Sequence, residues 1–163
     1  MKKTITMTLD VRSLRNAAGE ILQYRDQLIQ KANRLIEKLT EKGEELAKMQ
    51  VRALGAEYTG QLHESISGFF DKESRCGFVR AGAWYAIFVE YGTGVVGSAN
   101  PHPDPQGWAY DVNGHGDAGW AYFNERDGKW HWTKGMASRP FMYNTGEELQ
   151  KVCKVVAKEV FGS

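Results

Sequence analysis

The stretch YAIFVEYGTG, Tyr85 to Gly94, sets the question on which the fold turns. Tyr85, Ala86, Ile87, Phe88, Val89 and Tyr91 surround one carboxylate, Glu90, and the run stops at Gly92-Thr93-Gly94. If residues 84–91 form a short helix, Trp84, Ile87, Phe88 and Tyr91 share a side, and Glu90 reaches towards the Gly-Thr-Gly turn or a nearby basic group. Such a carboxylate is either a general acid or a structural group that accepts backbone N–H bonds or meets a cation. One carboxylate alone specifies no reaction, so the structural role is expected.

The chain on either side is helical at both ends and extended between. Residues 12–54 read as a long helix. Ile21, Leu28 and Leu35, with Ala32, Leu39, Leu46 and Ala53, form two series stepping by seven and offset by four, which make one stripe. Arg25 and Lys42 interrupt that stripe, and Gly43 is expected to bend or break the helix. The stripe fits packing on the helix's own domain, with or without further packing against a neighbouring subunit. Residues 62–134 read as two hairpins. In the first, Leu62, Glu64, Ile66, Gly68 and Phe70 share a face before the turn Asp71-Lys72-Glu73-Ser74, and Cys76, Phe78 and Arg80 follow it. In the second, a two-residue Asp127-Gly128 turn pairs Glu125 with Trp130 and Phe123 with Trp132, which puts Phe123, Trp130 and Trp132 on one covered face. Trp132→Ala is therefore expected to cost far more stability than His131→Ala.

Residues 139–161 read as a closing helix. Pro140 and Phe141 set its approach, Thr145 and Glu148 have capping-box form, and Leu149, Val152, Val156 and Val160 make its apolar stripe. The expected fold is a single α+β domain over residues 1–163. Its long N-terminal helix and its C-terminal helix pack on an antiparallel sheet of about four strands, with one long Gly/Pro-rich loop. That loop, residues 92–118, runs up to Gly119, and the span carries seven glycines and three of the four prolines. Unstructured loops of this length are uncommon in compact domains unless they are functional.

Bulk composition excludes several classes. A chain of 163 residues, 42% hydrophobic and 25% charged, suits one soluble globular core. Twenty-one Lys plus Arg against 20 Asp plus Glu give a formal charge of +1, so no basic field favours nucleic acid or anionic lipid. The segment Thr4 to Leu9 is too short and too polar for a signal peptide's core or a membrane span. The expectation is a protein made and folded in a cytoplasm. Cys76 and Cys153 have neither metal-ligand nor redox spacing and are expected as buried free thiols.

His102, Asp104, Asp111, His115 and Asp117 supply metal-ligand types in the loop, and Asp111 to Asp117 opens like a calcium loop. The twelfth position, which needs a bidentate Glu, is Tyr122, so no metal and no cofactor are expected. No Gly-x-Ser-x-Gly elbow or paired nucleophile and base is present either, and the chain is expected not to be an enzyme.

The order Thr59-Gly60-x-Leu62, Ser65-Ile66, Tyr85-Ala86-x-Phe88-Val89-Glu90-Tyr91-Gly92-Thr93 and Arg139-Pro140-Phe141-Met142 resembles the tailed-phage neck proteins. These are the tail-completion or head-tail joining family, also described as minor tail proteins. The resemblance covers roughly residues 55–160, and its loop, His102 to Trp120, is longer than the family's short connection. It implies a non-enzymatic virion component of the tail or neck, made in the host bacterial cytoplasm, in which Glu90 and Gly92-Thr93 end a short helix, glycine permitting the positive backbone angle, and release the long loop outward. Its partners would be copies of itself in a ring, the head-closure or connector protein, and the tail tube or tail terminator protein. The interface candidates are Glu90, Tyr91, Gly92, Thr93, Trp108 and Trp120, with the loop ordering only on contact with a partner. On that reading residues 97–117 are dispensable for folding. The alternative is a small metal-dependent hydrolase or ligand-binding module using the His, Asp and Trp side chains of the loop.

Overall fold

The computed structural model describes residues 3–56 and 59–162. Its first element is a helix, α1, Val11–Ala53, unbroken over 43 residues and therefore about 65 Å long. Asp10 starts it: the side chain accepts from Ser13 N at 2.9 Å, which satisfies one of the orphan amides of the first turn. Gly55 ends it at φ 59°, and Gly55 N–H and Ala56 N–H reach back to the carbonyls of Arg52 and Val51 in a Schellman closure.

Gly43 neither bends nor breaks α1. It is buried, and a Cβ there would meet Val79 Cγ2 at 2.8 Å and Leu149 Cδ2 at 3.5 Å. The missing side chain lets two other elements approach the helix, and this gain outweighs the propensity cost of about 1 kcal/mol. One of them is the first hairpin, β1, Ile66–Asp71, with β2, Cys76–Ala81; a short helix, α2, Gln61–Glu64, leads into it. Leu62 and Glu64, expected in the strand, lie in α2. Gly68 and Gly77 let the hairpin lie flat on α1, because a Cβ at either would collide with Thr40. Ile66 is buried on the α1 side, whereas Phe69 pairs with Phe78 on the outer face, where both are exposed. Cys76 is likewise exposed and Cys153 half-buried; both are free thiols, so the expected burial does not hold.

The closing helix, α5, Phe141–Gly162, runs antiparallel to the C-terminal half of α1. Asn144 meets Gln50 at one end and Glu159 meets Lys38 at the other. Thr145 is no cap: it is buried inside α5, and its hydroxyl donates to Phe141 O at 2.6 Å. Phe141, Leu62, Ile66 and Val51 are the largest fully buried side chains, and with Ala47 and Val89 they mark the core between α1, the first hairpin and α5.

The second hairpin is β3, Trp120–Asn124, with β4, Lys129–Thr133. It forms a separate two-stranded sheet rather than completing a four-stranded one. One reason is visible at β1, where Gly68 N–H is taken by the Glu44 carboxylate at 2.7 Å, so that amide cannot pair with a further strand. The pairing also differs from the expected register by two residues: Phe123 opposes Trp130 and Ala121 opposes Trp132. A type I′ turn needs positive φ at both central residues, but among the described non-glycines only Arg75 has one, so Gly128 alone supplies it here. The loop widens to four residues, closed by Gly128 N–H to Asn124 O and by Asn124 Oδ1 accepting from Arg126 N. A two-residue slip preserves the faces. Phe123, Trp130 and Trp132 do share a face, but it is uncovered: they are 49%, 71% and 66% exposed. Among the described residues no helix is long and apolar enough to cross a membrane.

Two expectations follow. Trp132→Ala removes an exposed ring and its Nε1 bond to Ala118 O, so denaturant unfolding should show a loss of about 1 kcal/mol rather than a core-scale loss. Glu44 is held below the ordinary glutamate value of 4.5 by its hydrogen bond to Lys48 and then by Gly68 N–H. Its contribution to stability is therefore complete above pH 4.5 and is lost as pH falls through the lower folded-state value. The gap between wild type and Glu44→Gln, measured by denaturant midpoints, should be widest at neutral pH and close in acid. A gap independent of pH would contradict this origin.

Candidate functional site: a buried carboxylate clasp

A third short helix, α3, Ala86–Tyr91, buries Ala86, Val89 and Glu90. Its aromatic side faces the other way, with Trp84 80% exposed and Ile87 and Phe88 also exposed. The helix thus turns its one charge inward, in keeping with the expected structural carboxylate, though the groups it meets are not the Gly-Thr-Gly turn. The reason lies 50 residues downstream. Pro140 O accepts the first i to i+4 bond of α5, from Asn144 N, which makes Pro140 the N-cap, and proline has no side-chain acceptor. Glu90 fills that role from a distance: Oε2 accepts from Met142 N at 2.8 Å and Oε1 from Tyr143 N at 2.9 Å. The carboxylate also sits at the positive end of the helix dipole.

Backbone bonds fix the two segments together beside it. Arg139 N donates to Val89 O at 2.9 Å and Ser138 Oγ to Glu90 O at 2.7 Å. The turn after Glu90 needs its glycines: Gly92 has φ 80°, and a Cβ there would meet Ser138 N at 2.7 Å and Met136 O at 2.8 Å. Thr93 and Gly94 then bridge antiparallel to Met136 and Gly135 of a two-residue strand, β5, Gly135–Met136.

The loop closes the clasp from the third side. His102 is 4% exposed, and its Nε2 lies 3.1 Å from Glu90 Oε1. The other ring nitrogen, Nδ1, is held by the Asp104 backbone, 2.9 Å from its N and 2.8 Å from its O. Tyr91 lies between His102, at 4.4 Å between ring centroids, and Trp108, at 5.0 Å, while Trp108 Nε1 donates to Gly92 O at 3.0 Å. The loop therefore folds back on α3 rather than running outward. It begins with a further short helix, α4, Gly94–Ala99, that the sequence pattern did not reveal. Residues 97–117 contain His102 and Trp108, so they are part of the fold and not a dispensable arm.

The six interface candidates have internal partners. Glu90 and Gly92 are buried, and Tyr91, Thr93, Trp108 and Trp120 are half-buried; Thr93 Oγ1 accepts from Met136 N, and Trp120 packs on His115 at 4.7 Å. His102 was noted in the sequence only as a metal-ligand type. Its pairing with Glu90 carries no local signal, since the two lie 12 positions apart across the Gly-Thr-Gly turn and α4.

A groove of about 530 Å3 opens over the clasp between Arg80, Ile87, Asp104 and Tyr143. Both Glu90 oxygens and both His102 nitrogens are in hydrogen bonds, and through them the pair joins three segments of the chain. A second groove of about 710 Å3 lies between Phe88, Trp108 and Trp120. On its rim Asp111 accepts from the backbone N–H groups of Gly116 and His115 and lies 3.1 Å from His115 Nδ1, and these bonds hold its carboxyl below the usual range. Among the described residues no group of three His, Cys, Asp or Glu side chains is placed to hold a metal ion. No family model, curated protein or solved structure matches the chain.

Glu90→Ala leaves two buried helix amides and His102 without their acceptor, and should lower stability by about 3–5 kcal/mol. Glu90→Gln keeps one acceptor oxygen and should cost less. In denaturant titrations Glu90→Ala and His102→Ala together should cost clearly less than the sum of the two, because both remove the same contact. Additive losses would place His102 outside the clasp.

Proposed function

We propose that the chain is a structural assembly subunit which joins head and tail in a tailed phage or phage-derived particle, working as a ring of identical copies and not as an enzyme. One observation carries most of this reading: the chain exposes 11292 Å2. A compact monomer of 18.3 kDa exposes about 8,100 Å2, so roughly 3,000 Å2 is in excess. Large apolar side chains contribute to the exposed surface. Ile21 and Leu22 on α1, Phe69 and Phe78 on the first hairpin, and Trp130 and Trp132 on the second are each at least half exposed. A subunit of a closed ring keeps two faces for its neighbours and further surface for the particles above and below, and a surplus of this size suits that need.

The site chemistry supports the same direction. The one buried carboxylate among the described residues is committed to backbone amides and a histidine, and the polar rim of the larger groove is bonded to itself. The resemblance of the Tyr85 to Thr93 block and of Arg139 to Met142 to neck proteins falls on the two segments that the clasp joins. In a neck protein the clasp would keep the subunit rigid while its outer faces meet partners. The loop candidates Trp108 and Trp120 then act as internal supports, and the exposed rings take the contact role.

A nonsense allele of this gene in the genome that encodes it should yield filled heads and complete tails that remain apart. Adding the purified protein to an extract of that mutant should restore joined particles, counted by electron microscopy. Normal numbers of joined, infectious particles without the protein would overturn the assembly role.

A further inference from the structure

Two apolar surfaces of the chain lack a covering element, and they lie on different parts of the fold. The contacts of α1 with the first hairpin and α5 fall on its C-terminal half, from the Lys38–Glu159 pair through Thr40 and Gly43 to Gln50, while nearer its start Glu20 pairs with Lys3 and Ala17 is buried. Residues 11–34 project beyond as an arm about 36 Å long. Along it Leu14, Ile21 and Leu22 are 44%, 56% and 51% exposed, and Leu28 and Ile29 continue the stripe half-buried. The second surface is the aromatic face of β3 and β4. A two-stranded hairpin is marginal in water unless something packs on it, yet here Phe123, Trp130 and Trp132 stand open. They are also pre-set: Phe123 and Trp130 meet edge to face at 5.6 Å, and Trp132 Nε1 donates to Ala118 O at 3.1 Å. Rigid aromatics of this kind make effective interface anchors.

The two surfaces differ in charge. Residues 11–34 carry Arg12, Arg15, Arg25, Lys31 and Arg34 against Glu20 and Asp26, which is a net charge of +3. The loop 92–119 has no Lys or Arg and carries Asp104, Asp111 and Asp117, which is −3; the hairpin 120–134 adds Arg126, Lys129 and Lys134 against Glu125 and Asp127, so the second surface as a whole carries −2. Its last residues adjoin the aromatic face through the Trp132 bond to Ala118.

We infer that the arm of one copy docks across the aromatic hairpin and acidic loop of the next copy, a head-to-tail contact that repeats until the ring closes. The occupant is a second copy because both complementary surfaces, apolar and charged, reside on the same chain. The area agrees: each copy gives one arm and one hairpin, two standard half-interfaces of about 800 Å2, well within the excess surface. A heterologous contact of this kind makes closed rings rather than two-fold dimers when the rotation closes. The inference deepens the ring reading above by naming its two faces, and it stands apart from which particle the ring serves.

Sedimentation velocity on the full chain tests it. Wild type should gain mass with concentration, and this gain should weaken as salt is raised. Ile21→Asp with Leu22→Asp, and separately Trp130→Ser with Trp132→Ser, should each remain monomeric with unchanged helical circular dichroism. An equimolar mixture of the two variants should form a dimer and nothing larger, since one intact arm and one intact hairpin remain. Should the hairpin variant lose its fold, Asp104→Lys with Asp117→Lys reads the same contact through charge and should weaken association. A wild type that is monomeric at all concentrations would assign these faces to another protein and overturn the inference. So would variants that still assemble, or a mixture that stays monomeric. Self-association as expected, with head-tail joining unaffected by loss of the gene, would keep the interface and remove only the neck role.

Discussion

The structure depends on a carboxylate that caps a helix from 50 residues away. Helix α5 begins at Arg139-Pro140-Phe141, a start with no Ser, Thr, Asp or Asn to satisfy its first amides. A buried helix end with open N–H groups is costly, and Glu90 removes that cost by accepting from Met142 and Tyr143. The same carboxylate would be costly if buried alone, and the two amides, the dipole and His102 offset its desolvation. Each partner makes the other tolerable. That mutual need holds α3, the loop and α5 in one arrangement, and Phe141 seals the core beneath it.

Because the clasp fixes the centre, the periphery is left open. The first hairpin lies on α1 through Gly68, Gly77 and Thr40, but the second hairpin is carried off the core at the end of the loop. The arm of α1 extends past α5 because the two helices differ by 21 residues in length, 43 against 22, and pack antiparallel from the Gln50 end. A rigid middle with apolar extremities is a sensible build for a part that works by contact, since partners then meet surfaces already in place.

How much of this was legible varied with the range of the interaction. Both long helices were readable from their stripes, and the inner face of β1 from its period of two, because these signals are local. The Gly-Thr-Gly turn was legible as a helix end, and Glu90 as an acceptor of backbone amides. What failed was long range. Nothing near Glu90 names Met142 or His102, and nothing near Gly43 announces that Val79 and Leu149 need its space. The Asp127-Gly128 dipeptide gave the right faces but a register off by two, because Asn124 captures the turn through Arg126 N. Exposure of Phe123, Trp130 and Trp132 was not legible either. A row of aromatics reads the same whether its cover is the chain's own core or another molecule.

Native-state hydrogen exchange at the Met142 and Tyr143 amides is the most direct measurement of the clasp. First-turn amides of a helix ordinarily exchange fast, since no carbonyl of their own helix accepts from them. With Glu90 in place both should be strongly protected, on a par with amides in the middle of α5, and Glu90→Gln should expose at least one of them selectively. Rapid exchange at both positions in the wild-type chain would show that the carboxylate does not hold the helix, and the clasp would be wrong.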